Sequence, residues 1–330
     1  MSNNITIIGL GELGASFAMA IRKEVPGFQI TGSDYEKSAE KRAMDNKWVD
    51  RTEHNLFEAV KDAGAVILAV PADQTQKTLE LIGHDLKEGT IVLDCCPDKE
   101  AAASWARRYL KEPDNYVGIW TGVNPDLISV PGDGAEAASP DYFRGSSLFV
   151  AADEKTSEEV IRFATELAKA LGMECSFVGP LELDGMISAS FILPVIAAYG
   201  LAGCISSRSG WTDGKKTAGR IFRRMTSPVG MKIDQEETGT AFAENRENIV
   251  RLLNEYIVEL RTIRDLLNSR DEAGLRTLME NDRQALDRWE RDYRQPNHKD
   301  TESGSLAGIS AADTMNQVFF GGLLRKKPRK

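Results

Sequence analysis

Ile5-Thr6-Ile7-Ile8-Gly9-Leu10-Gly11-Glu12-Leu13-Gly14-Ala15-Ser16-Phe17-Ala18 is the stretch whose reading decides the fold. The run Ile5 to Ile8 is apolar and β-branched, the signature of a strand covered on both faces. Gly9, Gly11 and Gly14 then give the spacing G-x-G-x-x-G, and Leu13, Phe17, Ala20 and Ile21 recur at helical steps. In such a turn the first glycine permits the reversal and the second lets a diphosphate approach bare main chain. The third lets helix and strand pack closely. The helix N-terminus offers unpaired N–H groups and partial positive charge to phosphates.

Glycine turns are common, so context carries the weight. Asp34 lies 20 residues beyond Gly14 and closes a second apolar run, Phe28 to Ser33. A carboxylate there accepts hydrogen bonds from the adenosine ribose hydroxyls and repels a 2′-phosphate. These residues predict a dinucleotide site formed by Gly9, Leu10, Gly11, Glu12, Leu13, Gly14 and Asp34, with Val70 and Pro71 beside it. NAD is the expected cofactor; Lys37 leaves NADP possible.

Outward from that turn, apolar runs at Ala65–Val70, Thr90–Asp94, Tyr116–Trp120, Ser147–Val150 and Glu174–Val178 alternate with helical patterns. The helices are expected over residues 36–46, 56–61, 75–86, 100–110 and 157–171, with Asn55 capping the second. That rhythm predicts a Rossmann-type, doubly wound parallel sheet, an α/β fold with ligands beyond the carboxyl ends of its strands. After Gly179-Pro180 only helical periodicity remains, as in Ile249, Leu252, Leu253, Tyr256, Ile257 and Leu260. Two domains are therefore expected: residues 1–178 binding the dinucleotide, and an all-α dimerisation and substrate domain over 179–330.

With 330 residues and a net charge of −9, the chain is a poor candidate for nucleic-acid binding. Its four cysteines show no metal spacing and read as reduced thiols of a cytoplasmic protein, and no metal site is expected. No signal peptide is read ahead of the first strand. Met186 to Ile205 is 20 residues without a charge, long enough for a membrane span. It holds Ser188, Ser190, Pro194, Gly200 and Gly203, and a buried spine at a homodimer interface is the expectation for it. The basic tip Arg325–Lys330 reads as a solvated end.

The chain resembles the prephenate/arogenate dehydrogenase family. The likeness is carried by Gly9–Ser16, Asp62–Pro71, Gly134-Ala135-Glu136-Ala137-Ala138 with Tyr142-Phe143-Arg144-Gly145 (the family's G-x-E-A-A…L-F-x-G), and Asn245-Arg246-Glu247-Asn248. The resemblance implies NAD(P)-dependent oxidative decarboxylation of a small carboxylated cyclohexadienyl acid, a step of tyrosine biosynthesis. Hydride passes from the carbon bearing the ring hydroxyl to the nicotinamide, and loss of carboxylate makes the ring aromatic.

The chain departs from the family at its chemical centre. The resemblance implies a histidine after the fifth strand, and Trp120 stands there. An indole N–H donates but is no base near neutral pH. The family's D-x-x-S-x-K reads Asp94-Cys95-Cys96-Pro97-Asp98-Lys99, and its His-Asp reads Leu183-Asp184. S-H-L-P-H becomes Ser190-Phe191-Ile192-Leu193-Pro194. In F-R-D-x-T-R, Arg223 is kept and Arg224 stands nearby as a second carboxylate clamp.

Lys99 is the leading acid–base candidate, with Asp184 and Tyr199 behind it. His54, His84 and His298 sit in settings that suit structural or exposed roles. Two functions follow: a dehydrogenase with this or an altered substrate, or a non-catalytic NAD-binding dimer acting as a sensor or partner. A β-hydroxyacid dehydrogenase fits less well, because Met186 to Ile205 carries no lysine.

Overall fold

The computed structural model describes residues 2–130, 134–230 and 245–294. His298 and the basic tip lie outside them. Eight strands form one sheet in the order β3-β2-β1-β4-β5-β6-β7-β8. They are β1 (Asn4–Ile8), β2 (Gln29–Ser33), β3 (Arg51–Thr52), β4 (Ala65–Leu68), β5 (Ile91–Asp94), β6 (Tyr116–Thr121), β7 (Ser147–Ala151) and β8 (Glu174–Phe177). Helices α1 (Glu12–Glu24), α2 (Lys37–Asp45), α3 (Leu56–Val60), α4 (Ala72–Ile82), α5 (Lys99–Tyr109) and α6 (Glu158–Ala170) connect them.

Alternation along the central strands builds a core on each face of the sheet. Ile5, Ile7, Ile67 and Leu93 pack with Phe17 and Ile21 of α1 and with Phe163 and Leu167 of α6. Ile8, Val66, Leu68 and Val92 turn the other way, onto Val60, Leu79 and Ala102 of α3, α4 and α5. Both faces are covered, which is why these strands carry so few polar residues. Asn55 caps α3 as expected, its side-chain oxygen accepting from Phe57 N at 3.0 Å.

The sheet departs from the all-parallel expectation at one place: β6 and β7 pair antiparallel, Trp120 opposite Phe149. Parallel neighbours need a crossover, usually a helix, and the connection between these two is a long loop that brings the chain straight back. Helix α6 then supplies a crossover, and β8 pairs parallel with β7.

The described residues divide into two compact units, one running to Pro180 and joined by residues 286–294, the other Leu181–Ala285. The second unit is helical. Its uncharged stretch runs through α7 (Pro180–Ile187), a π-helical turn (Ser188–Ile192) and α8 (Leu193–Ser206). Pro194 is the second residue of α8, just past the π turn; a residue without an N–H suits the first turn of a helix segment, where the regular ladder is already broken. Leu183, Ile187, Ile192, Val195 and Ala198 are buried, beside Ile249 and Leu252 of the long helix Arg246–Asn268. In the single chain Leu181, Met186 and Tyr199 are exposed. This run, Pro180–Ser206, is long and apolar enough to cross a membrane by length and composition.

Candidate nucleotide and catalytic site

The glycine turn sits between β1 and α1 with Gly11 as the helix N-cap. Gly9 has φ +92, and a Cβ on it would come within 2.4 Å of Ala69 O at the end of β4. A Cβ on Gly14 would lie 1.8 Å from Gly9 O. Both glycines are therefore demanded by the fold itself. Gly11 is different: it is exposed, and nothing lies within 4 Å of where its Cβ would be. Main chain with space in front of it, at the start of a 13-residue helix, suits an incoming diphosphate.

Asp34 stands beside the turn. Its Oδ2 accepts from Leu10 N at 2.6 Å and its Oδ1 from Glu36 N at 2.8 Å. Two main-chain N–H groups hold the carboxylate still, and each oxygen keeps a second acceptor direction for a ribose hydroxyl. Asp34 N in turn donates to Glu40, a buried carboxylate that also pairs with His54 at 3.2 Å. His54 thus has a structural partner here. The next residue, Tyr35, is 88% exposed and offers an aromatic face at the adenosine end. Across β1 in the strand order, Val70 and exposed Pro71 lead from β4 into α4. In that helix's first turn both carboxylate oxygens of Asp73 are buried without a hydrogen-bond partner among the described residues. Glu12 and Leu13, in the first turn of α1, are half-buried.

Beyond β5 and β6 lies a buried polar knot. Asp94, at the end of β5, accepts from Cys96 N at 2.9 Å and from the Tyr116 hydroxyl at 2.7 Å. Burial pushes its carboxyl above the usual carboxylate range, against the pull of Lys99. Lys99 is only 1% exposed. Its ammonium donates to the main-chain oxygens of Ile119 (2.6 Å), Asp94 (3.3 Å) and Cys96, and lies 5.7 Å from the centre of the Trp120 ring. Gly118 makes room for it, since a Cβ there would come 2.8 Å from Lys99 Cδ.

Three donor bonds use all three ammonium hydrogens, so the nitrogen has no lone pair to offer while they persist. The geometry casts Lys99 as a fixed positive charge joining β5 to β6, in place of the proton carrier expected from the sequence. Lys99 and Trp120 are thus brought together.

The remaining candidates lie in the second unit. Asp184 is buried in α7, and its main-chain oxygen accepts from Ser188 Oγ at 2.6 Å. Asn245 Nδ2 donates to that same Oγ at 2.8 Å, tying in the Asn-Arg-x-Asn segment. Arg223 and Arg224, on the helix Arg220–Thr226, are exposed, and neither makes an ion pair among the described residues. Sequence reasoning passed over Tyr116, Tyr142 and Tyr293. Tyr293 lies near the end of the last helix (Glu272–Arg294), and its hydroxyl donates to Val123 O at 2.7 Å and accepts from Val123 N at 2.9 Å. Only Tyr142 had a signal available, standing where the family pattern has leucine.

The family model described as "Prephenate dehydrogenase, nucleotide-binding domain" matches residues 17–176, starting just after the glycine turn. A prephenate dehydrogenase of Bacillus subtilis is 25% identical over 281 residues, covering 83% of this chain and 73% of the relative. A cyclohexadienyl dehydrogenase of Zymomonas mobilis is 21% identical over 270 residues, covering 81% and 89%. Family model and relatives alike are prephenate and cyclohexadienyl dehydrogenases, and these are what the chain is similar to.

The fold agrees. Prephenate dehydrogenase from Aquifex aeolicus, solved with hydroxyphenyl propionate and NAD+, superposes with a TM-score of 0.73 at 20% identity, covering 87% of this chain and 98% of that one. Synechocystis arogenate dehydrogenase gives 0.64 at 20% identity, covering 87% and 99%. The chain departs from those dehydrogenases in one respect: an indole lies over a lysine at the place where the family resemblance puts an imidazole.

Proposed function

We propose that this chain is an NAD-dependent dehydrogenase that oxidatively decarboxylates a cyclohexadienyl acid, prephenate or arogenate, in tyrosine biosynthesis. The observation that carries the reading is the glycine turn: Gly9 and Gly14 are closed by the fold, while Gly11 is open beside an anchored Asp34. When bound, NAD supplies the hydride acceptor. Asp34 takes the adenosine ribose, the amides from Gly11 to Leu13 face the diphosphate, and Asp73 and Val70-Pro71 border the second nucleoside.

On the substrate, the ring carbon bearing the hydroxyl loses hydride with its electron pair. The carboxylate leaves as carbon dioxide, and its bonding electrons complete the aromatic ring. Lys99 contributes fixed positive charge beneath Trp120, near the carboxyl ends of β5 and β6. Arg223 and Arg224 pair with substrate carboxylate, and Asp184 shapes the helical side of the site. Residues 1–178 form the nucleotide domain in this reading, and 179–330 the substrate and dimerisation domain.

The chain works as a cytoplasmic homodimer, without nucleic acid or a membrane as partner. The exposed apolar residues of α7 and α8, with Ile221 at 82% and Met225 at 57% exposure, form the surface a second copy covers. Light scattering on the eluted protein gives twice the chain mass on this reading; a monomer refutes it.

The activity test is the appearance of reduced-cofactor absorbance with NAD and either acid. Turnover with one of them is expected. Trp120 in the histidine position and the spent donors of Lys99 favour one alternative, a non-catalytic NAD-binding dimer. Tight NAD binding with no turnover of either acid would decide for it.

A further inference from the structure

The Tyr142 hydroxyl has no hydrogen-bond partner among the described residues, although its side chain is partly buried. Its main chain is held firmly: Tyr142 O accepts from Asn124 N at 2.6 Å. Its ring meets that of Phe143 at 5.1 Å, and Phe143 packs at 4.3 Å on Phe17 of α1. The charged and polar groups that act on the phenol are Glu12 in the first turn of α1, Tyr293, and Cys95 just past β5. Tyr293 is itself bonded to both main-chain groups of Val123, just past β6.

Asn124 follows β6 and Phe17 belongs to α1, so Tyr142 stands between the carboxyl end of β6 and the helix that follows β1. With a diphosphate at β1 and the adenosine sugar at β2, the second half of a dinucleotide must extend over β4 and β5. The substrate then stands above that half, beside the loop that carries Tyr142.

We propose that the Tyr142 hydroxyl donates a hydrogen bond to the ring oxygen of the substrate, taking over the polarising part of what an imidazole at position 120 would do. This rests on the dehydrogenase reading and adds a residue to it. Leucine, the family's residue here, would supply the packing alone. The added hydroxyl brings a donor that nothing else among the described residues uses. Burial, reinforced by the Glu12 carboxylate, pushes the phenol well above its usual range, so it remains a neutral donor at working pH and never a base.

The test measures binding of hydroxyphenyl propionate and of phenylpropionate, which lacks the ring hydroxyl, to the full chain with saturating NAD+. Wild type and Tyr142→Phe are compared by calorimetry. Wild type should prefer the hydroxylated acid by about fivefold to tenfold, the worth of one net hydrogen bond. Tyr142→Phe should lose that preference, with phenylpropionate and NAD+ affinity and the melting temperature unchanged. A preference that survives in Tyr142→Phe overturns the inference and leaves the dehydrogenase reading standing, as does equal binding of both acids by wild type. If wild type binds NAD+ but neither acid, the substrate reading falls and this inference with it.

Discussion

Replacing Lys99 with methionine removes the charge at the centre of the β5–β6 junction and keeps most of the stem that fills the space beside Gly118. Three main-chain oxygens, on Asp94, Cys96 and Ile119, then lose a charge-assisted donor in a setting water does not reach. A buried acceptor left without its donor costs about 1–3 kcal/mol. Part of the sum is returned, because the ammonium no longer has to be desolvated. A net loss of about 3–5 kcal/mol at neutral pH is expected, a large share of the ~5–15 kcal/mol that holds a typical domain.

The loss should also depend on pH. Asp94 has a folded-state pKa above its unfolded value, raised by burial. Its contribution to stability is therefore fully present below the unfolded pKa and is lost as pH rises through the folded pKa. Lys99 restrains that rise. Without it the folded pKa climbs further, and the penalty for ionising Asp94 grows. Lys99→Met should cost more near pH 8 than near pH 5, measured by urea unfolding at both. A loss below about 1 kcal/mol, or one that is flat with pH, would refute the account of the knot.

Gly11→Ala should leave urea stability within about 0.5 kcal/mol of wild type while weakening NAD by at least about tenfold, because its Cβ meets no protein atom but stands where the diphosphate arrives. Gly14→Ala should instead lower stability by several kcal/mol, about 3 or more, since Gly9 O occupies the place of its Cβ. Equal stability of the two variants would contradict this division of labour. In native protein at pH 8, half-buried Cys175 should react slowly with a thiol reagent, and Cys204, exposed on α8 in the single chain, quickly only when the protein is diluted to monomer. Buried Cys95, whose thiol is pushed up to about 12, and Cys96, pushed up further, should react only on unfolding. Fast native labelling of Cys95 would show that the sheet mouth is open to water.

Much of the nucleotide half could be read in the chain. Its strands are short, apolar and separated by helix-length patterns, and Gly9, Gly14 and Asp34 sit at offsets that a single strand–turn–helix unit imposes. Local sequence decides these features because each depends on neighbours within one βαβ unit. The antiparallel β7 was harder to foresee. Its direction follows from the path of the loop between β6 and β7, and no residue in the strand itself encodes it.

The catalytic side was decided by tertiary structure. Position 99 reads as a lysine with a titratable amine. Only the fold shows that the ends of two strands, the second reached 20 residues beyond the lysine, direct carbonyls onto it and consume its donors. Likewise Tyr142 and Phe17 share no sequence pattern, and they come near each other because the loop after β6 folds back onto α1. Periodicity and turn chemistry are properties of contiguous residues, so the chain alone determined its architecture and its nucleotide turn. Whether a polar group is satisfied depends on partners distant in the chain, and that only the packed structure determined.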